Sequence, residues 1–237
     1  MDTRVRASLI LGALLALGLA ALGYLLGASA IRFKEYERVV TVKGLSEREV
    51  PADVAVWPIY FTGAGSDLAA LYSKLESDTR QVLAFLETKG FEPAEIAVAA
   101  PTMTDKLAQR YGGNEQVLLR YSASQAITVY SNKVDLVRSS QNALAELGKK
   151  GIAVGGAEYQ RTEFLYTRLN DIKPQMIEEA TRQAREVAEK FAADSSSRLG
   201  KIRTANQGQF TVTDRDSNTP HIKNVRVVST VEYYLSD

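Results

Sequence analysis

From Ala7 to Ile31 the chain carries no charged side chain, and Leu, Ala and Gly fill most positions. A helix of that length is roughly 37 Å long, enough to cross a hydrocarbon core of about 30 Å. The run predicts an N-terminal transmembrane signal anchor over residues 1–31, followed by a charged juxtamembrane stalk over 32–38. A cleavable signal peptide is the competing reading, since Ala28-Ser29-Ala30 offers small residues before a cut. The 18-residue apolar stretch from Leu9 to Leu26 favours retention. Arg4 and Arg6 precede the run while Arg32, Lys34 and Arg38 follow it, so the flanking positive charges nearly balance. The short basic head nonetheless reads as a signal n-region and places the following domain outside the cytoplasm, on an inner-membrane anchor that passes once. Gly12, Ala16, Ala20, Gly23 and Gly27 form a small-residue face that a second helix could approach closely.

Beyond the stalk the period changes. Val39–Val42 is rich in β-formers and broken at Gly44, and Val54–Phe61 is a second strand in which Pro58 needs an edge position or a bulge. Ser66 offers an N-cap to a helix that runs through Leu68, Leu71, Tyr72, Leu75, Val82 and Leu86 and closes at Gly90. Strands follow at Ile96–Ala100 and Val117–Tyr130, around a Tyr111-Gly112-Gly113-Asn114 turn. Val134, Val137, Leu144 and Leu147 mark another helix, stopped by Gly148 and Gly151, and Val154–Tyr166 is again a strand. The longest helix is expected from Asp171 to Leu199, ending at Gly200, with Met176, Ala180, Ala184, Val187, Phe191 and Ser195 as its inner stripe. Strands near Ile202–Thr213 and Ile222–Leu235 complete the chain. The pattern is that of one α+β domain over 39–237, an antiparallel or mixed sheet packed by about three helices.

Composition narrows the chemistry. The 237 residues include no cysteine and one histidine, which excludes disulfides, thiolate chemistry and a histidine metal cluster. Removing Arg4, Arg6 and Asp2 with the anchor leaves 27 basic and 27 acidic side chains, so nucleic acid is not an expected partner. Gly63-Ala64-Gly65-Ser66 imitates a dinucleotide loop, but its third glycine would fall at Leu68 and Asp67 would oppose a phosphate. Asp214, Asp216 and Asn218 imitate a calcium loop, yet the sixth position is Thr219 and the twelfth Val225; a polar hairpin loop fits better. His221 lacks a second histidine or a cysteine, and Ser195-Ser196-Ser197 lies at a helix end without a nucleophile elbow. Neither a catalytic site, nor a cofactor, nor a bound metal is expected.

Val40-Thr41-Val42-Lys43-Gly44 and Glu49-Val50-Pro51-Ala52-Asp53-Val54-Ala55 together resemble the start of the SIMPL (DUF541) domain family. Tyr121-Ser122-Ala123, Ala180-xxx-Ala184-Arg185-xx-Ala188 and Leu199-Gly200-Lys201-Ile202 recur in the same order in that family. The resemblance is to its bacterial envelope branch, which includes the 26 kDa periplasmic antigen and oxidative-stress-linked periplasmic proteins. It implies a periplasmic or membrane-anchored α+β protein that assembles into large rings, with no established enzymatic activity. This chain departs in having Ser46 where many relatives carry a second glycine, and in its hydrophobic anchor. Physically, Gly44 is expected to relieve a Cβ clash at a bulge or bend, and Pro51-Ala52-Asp53 to form a turn. The expected function is a non-enzymatic, anchored envelope protein that self-assembles and supports stress tolerance. The alternative is a small-molecule or peptide-binding module, or a hydrolase with a site between subunits.

Overall fold

The computed structural model describes residues 3–35, 38–108, 118–155 and 161–236. It is a mixed α+β structure with antiparallel sheets, in which four α-helices follow an N-terminal helix among the described residues. The chain divides into two compact units. The first comprises residues 1–48, 170–211 and 226–237; the second comprises 49–169 and 212–225.

The N-terminal helix α1 spans Thr3–Glu35. Its described side chains are Gly12 and residues 14–29. Among the described residues no helix is long and apolar enough to cross a membrane. A Cβ added at Gly12, Gly18, Gly23 or Gly27 would meet nothing within 4 Å, and Ala16 and Ala20 are exposed, so among the described residues nothing packs on the small-residue face.

In the first unit, β1 (Val39–Pro51), β10 (Ile222–Ser236) and β8 (Arg198–Gln207) are neighbours in that order. Alternate residues of β1 are buried from Val42 to Ser46, which is the period of a sheet with one covered face. The cover is α5 (Leu169–Asp194). Its buried stripe is Met176, Ala180, Ala184, Ala188 and Ala192, and Val42, Val231 and Tyr233 lie against its C-terminal half. The expected stripe was right in its first three members only. Val187 and Phe191 are 37% and 57% exposed, because strict i, i+4 spacing drifts around the helix and carries the contact line onto Ala188 and Ala192.

Alanines along that line let the helix come down almost onto the strand. A Cβ on Gly44 would overlap the Ala180 carbonyl oxygen and lie 2.5 Å from the Ala184 nitrogen. Gly44 therefore does not break β1, which continues through it to Pro51. Ser46 is buried and donates to Glu179 at 2.9 Å, so a polar side chain is satisfied in the same seam. The helix also ends earlier than expected. Ser196 takes a positive φ of 53°, and the Ser197 amide donates back to the Ala192 carbonyl at 2.8 Å. Gly200 consequently sits in β8, at a register shift opposite Tyr233–Leu235, where a Cβ would lie 2.9 Å from the Tyr234 carbonyl oxygen.

In the second unit β2 (Val54–Gly65) is the centre. It pairs with β5 (Tyr121–Ser131) along eleven residues, and on its other side with β6 (Ala153–Val154) and β7 (Glu163–Leu165). The two short strands β3 (Ile96–Val98) and β4 (Thr102–Asp105) line the far side of β5. One strand expected over 154–166 is thus two short ones, with 156–160 outside the described residues. Pro58 faces Thr128 on β5 and lies between the β6 and β7 pairings, where no ladder bond from its nitrogen is required. The expected Tyr111–Asn114 turn and Val117 are also outside the described residues.

Three helices belong to this unit: α2 (Leu68–Lys89), α3 (Val134–Asn142) and α4 (Ala145–Lys149). Asp67, not Ser66, caps α2, accepting from the Ala70 amide at 2.7 Å, and Gly90 closes the helix at φ 99°. Leu71, Leu75, Val82, Phe85 and Leu86 bury α2 against Trp57, Ile59 and Phe61 of β2, whereas Leu68 and Tyr72 stay exposed. The predicted helix after Val134 is split in two, because Ala143 and Leu144 form successive tight turns before α4 starts.

Gly44→Ala is expected to lower the unfolding free energy by about 3 kcal/mol or more, since backbone rather than a movable side chain fills the space. Gly148→Ala, which meets no atom within 4 Å, is expected to stay within about 0.5 kcal/mol of the parent. Urea midpoints of the two variants test the pair.

Candidate functional site

The second unit is organised at one end by the corner Pro51-Ala52-Asp53 between β1 and β2. Pro51 is exposed and ends β1, which sets the chain direction there. The Ala52 amide donates to the His221 carbonyl at 2.8 Å, and the Asp53 amide to the Leu165 carbonyl at 2.9 Å. The Asp53 carboxylate accepts from the Thr167 amide at 2.8 Å, the Thr167 hydroxyl at 3.0 Å and the Arg168 amide at 3.2 Å. A turn at Pro51-Ala52-Asp53 would engage amides close by; the Asp53 partners instead lie more than a hundred residues away along the chain.

This corner holds two segments side by side. One is β7, whose Phe164 is 6% exposed. The other is the loop between β9 (Thr211–Asp214) and β10, which carries His221. Phe164 and His221 meet edge to face at a centroid distance of 6.1 Å.

The loop is self-supporting. Asp216 accepts from the amides of Asn218 and Thr219, both at 2.8 Å, and from Arg215 Nε at 3.1 Å; the Thr219 hydroxyl also donates to it. Arg215 reaches Glu49 as well, at 3.4 Å, and Asp214 pairs with the buried Lys223. The Thr219 hydroxyl, then the Arg215 guanidinium, hold the Asp216 carboxyl well below the usual carboxylate range. The resemblance of Asp214, Asp216 and Asn218 to a calcium loop therefore resolves into an Asx turn in a polar hairpin, its carboxylates engaged by the chain itself. Gly63 and Gly65, likewise, are strand residues of β2 facing Ala123 and Tyr121 across the ladder rather than a phosphate loop.

Beside the loop opens a cavity of about 520 Å³. Helix α3 supplies Asp135, Arg138, Ser139, Gln141 and Asn142, and Phe164, Asn218, Pro220 and His221 complete its wall. Gln141 is positioned by a bond to the Thr162 hydroxyl at 2.5 Å. Arg138 lies 3.3 Å from Asp135, whose side chain is 96% exposed. Burial, then the positive charges of Arg138 and Arg215, push the His221 imidazole below its ordinary value. A second cavity, of about 640 Å³, shares Phe164 and Pro220 and is lined by Arg161, Asp214, Asp216 and Lys223. Among the described residues no three metal-ligating side chains come together.

Of the residues singled out from sequence, Pro51 and Asp53 belong to this site by holding it. Gly44, Ala180, Ala184 and Gly200 form the close helix–strand seam and the β8 bulge of the first unit. Tyr121 begins β5 beneath Arg120, whose guanidinium lies 4.9 Å from the ring centre and is held by Asp105 at 2.7 Å. Sequence reasoning named His221 but missed Phe164 and Arg138. Asp135 and Arg138 are spaced for one helix face, which was the available signal.

The fold is that of a mixed α+β protein with antiparallel sheets. A family model described as SIMPL, protein of unknown function (DUF541), matches residues 40–232, and the chain belongs to that family. No curated protein matches the chain.

The neutral imidazole gives a signed pH dependence. Because the folded value is depressed, unfolded chains bind a proton more readily, so His221 contributes fully above about pH 6.5 and loses its contribution as pH falls through the folded value. His221→Gln is expected to flatten that part of the stability-against-pH curve in urea titrations. Asp53→Ala, which strands two backbone amides, is expected to cost about 1–3 kcal/mol and to move the His221 ring resonances.

Proposed function

We propose that the protein is a non-enzymatic, membrane-anchored component of the cell envelope, whose domain lies outside the cytoplasm and assembles with copies of itself. The observation that carries this reading is the surface of α1. Leu14, Leu15, Leu17, Leu19, Leu22, Leu25 and Leu26 are each more than half exposed, and Tyr24 is 77% exposed. They lie inside the charge-free run from Ala7 to Ile31. An apolar helix surface of that extent needs a bilayer or other apolar helices around it.

Self-assembly draws support from the first unit. Strands β1 and β8 are the two ends of the order β1-β10-β8, and every side chain of β8 from Lys201 to Gln207 is exposed. Val187, Phe191 and Ile202 add apolar surface there. Strands β1 and β8 with no further strand beside them among the described residues allow copies to join head to tail, and such contacts close into rings when the rotation permits. Support of envelope or oxidative stress tolerance is the role that the family resemblance suggests.

The test compares the detergent-extracted full chain with a chain starting at Ile31. The full chain is expected to float with liposomes and to have a mass of several subunits, and the shortened chain to lose flotation. Monomers in both preparations at micromolar concentration would end the assembly reading. An export-dependent reporter fused after Asp237 is expected to be active; activity of a cytoplasmic reporter alone reverses the orientation.

A further inference from the structure

We propose that the cavity between α3 and the β9–β10 loop binds a small organic carboxylate, with its charge between His221 and Arg138 and its apolar body against Phe164. The inference does not depend on membrane anchoring or assembly, because every wall residue comes from the second unit.

The case rests on which groups in the cavity remain free. Its one carboxylate, Asp135, is paired with Arg138 at 3.3 Å. The nearby Asp216, outside this wall, is engaged by Thr219, Arg215 and two backbone amides. The cavity's donors are in surplus. No hydrogen bond among the described residues engages either ring nitrogen of His221, or the side-chain amides of Asn142 and Asn218. Among the described residues Arg138 has only its 3.3 Å contact with Asp135, one turn back on the same helix, and a pair so exposed holds the guanidinium weakly. A half-buried imidazole beside a guanidinium, with two amides able to donate, is suited to an anion.

The shape narrows the anion. At about 520 Å³ the cavity is far larger than an inorganic ion requires. Phe164 and Pro220 give one apolar wall, against which a hydrocarbon or ring can lie. The Asp135 carboxylate offsets part of the Arg138 charge, so the wall matches a monoanion better than a phosphate dianion. The groups facing His221 are Arg138 and Asp135 from α3, and Arg215 and Asp216 from the loop. An added carboxylate reverses the balance that keeps the ring neutral. Binding then takes up a proton, and affinity falls up to tenfold per pH unit once the ring of the complex deprotonates.

His221 is the chain's one histidine, so a full chain labelled with 13C at histidine Cε1, held in non-ionic detergent, has a single reporter signal. Benzoate is expected to shift that signal saturably and to raise the pH at which it titrates. Benzamide, which has the ring without the charge, is expected to bind at least tenfold more weakly. Arg138→Gln is expected to lose tenfold or more in benzoate affinity, with an unchanged urea midpoint showing that the fold persists, and Arg138→Lys to recover part of it. The proposal is overturned by a signal that does not respond to benzoate, by equal response to benzamide, or by unchanged affinity in Arg138→Gln. A response to inorganic phosphate without one to benzoate overturns the ligand class.

Discussion

A carboxylate with three donors holds the second unit's functional end together. Asp53 binds the amides of Thr167 and Arg168 and the Thr167 hydroxyl, at 2.8 to 3.2 Å. Its neighbour Ala52 secures the His221 carbonyl. Backbone amides that leave a short strand need partners, and an ionised acceptor is among the strongest available. Because the corner binds both segments, Phe164 and His221 are brought edge to face and the cavity beside them has a fixed wall. A side chain far from any ligand thereby positions the groups that would touch one.

The first unit depends on an opposite device, the removal of atoms. Gly44 leaves no Cβ where the Ala180 carbonyl approaches, and alanines at four-residue spacing carry that contact along α5. Small residues on both sides allow backbone-to-backbone closeness that larger ones would prevent. The stripe this leaves is narrow, so Val187 and Phe191 remain outside. Those exposed groups are what the assembly proposal uses. Close packing inside and available surface outside have one cause.

Much of this was legible in the residues. The β-rich runs at Val39–Val42 and Val54–Phe61, the α2 stripe apart from Leu68 and Tyr72, the Gly90 stop and the polar hairpin at Asp214–Asn218 are local signals, and each appears where expected. The failures are also physical. The Cβ clash expected at Gly44 is present, but inside a continuous strand rather than at a break, and Gly200, expected to stop the helix, is likewise a place in a strand where another segment comes too close for a Cβ. Ser66 and Asp67 both can cap a helix, and only the phase of α2 selects Asp67. The stripe of α5 was drawn through Val187 and Phe191 on hydrophobicity, where the line of contact follows smaller alanines. Phe164 and Arg138 were missed as site residues because neither has a motif; their meaning comes from what lies opposite.

By itself the sequence determined the alternation of strands and helices, the charge-free N-terminal run, the balanced charge beyond it and membership of the SIMPL family, since composition and period are properties of the chain alone. It also determined that no cysteine, and only one histidine, could take part in chemistry. The tertiary structure decided which glycines are approached by backbone, which alanines are buried and which segments Asp53 joins. It also decided that His221 stands in a cavity among unengaged donors. The meetings at Gly44 and Asp53 join groups more than a hundred residues apart, and no local pattern encodes such a meeting.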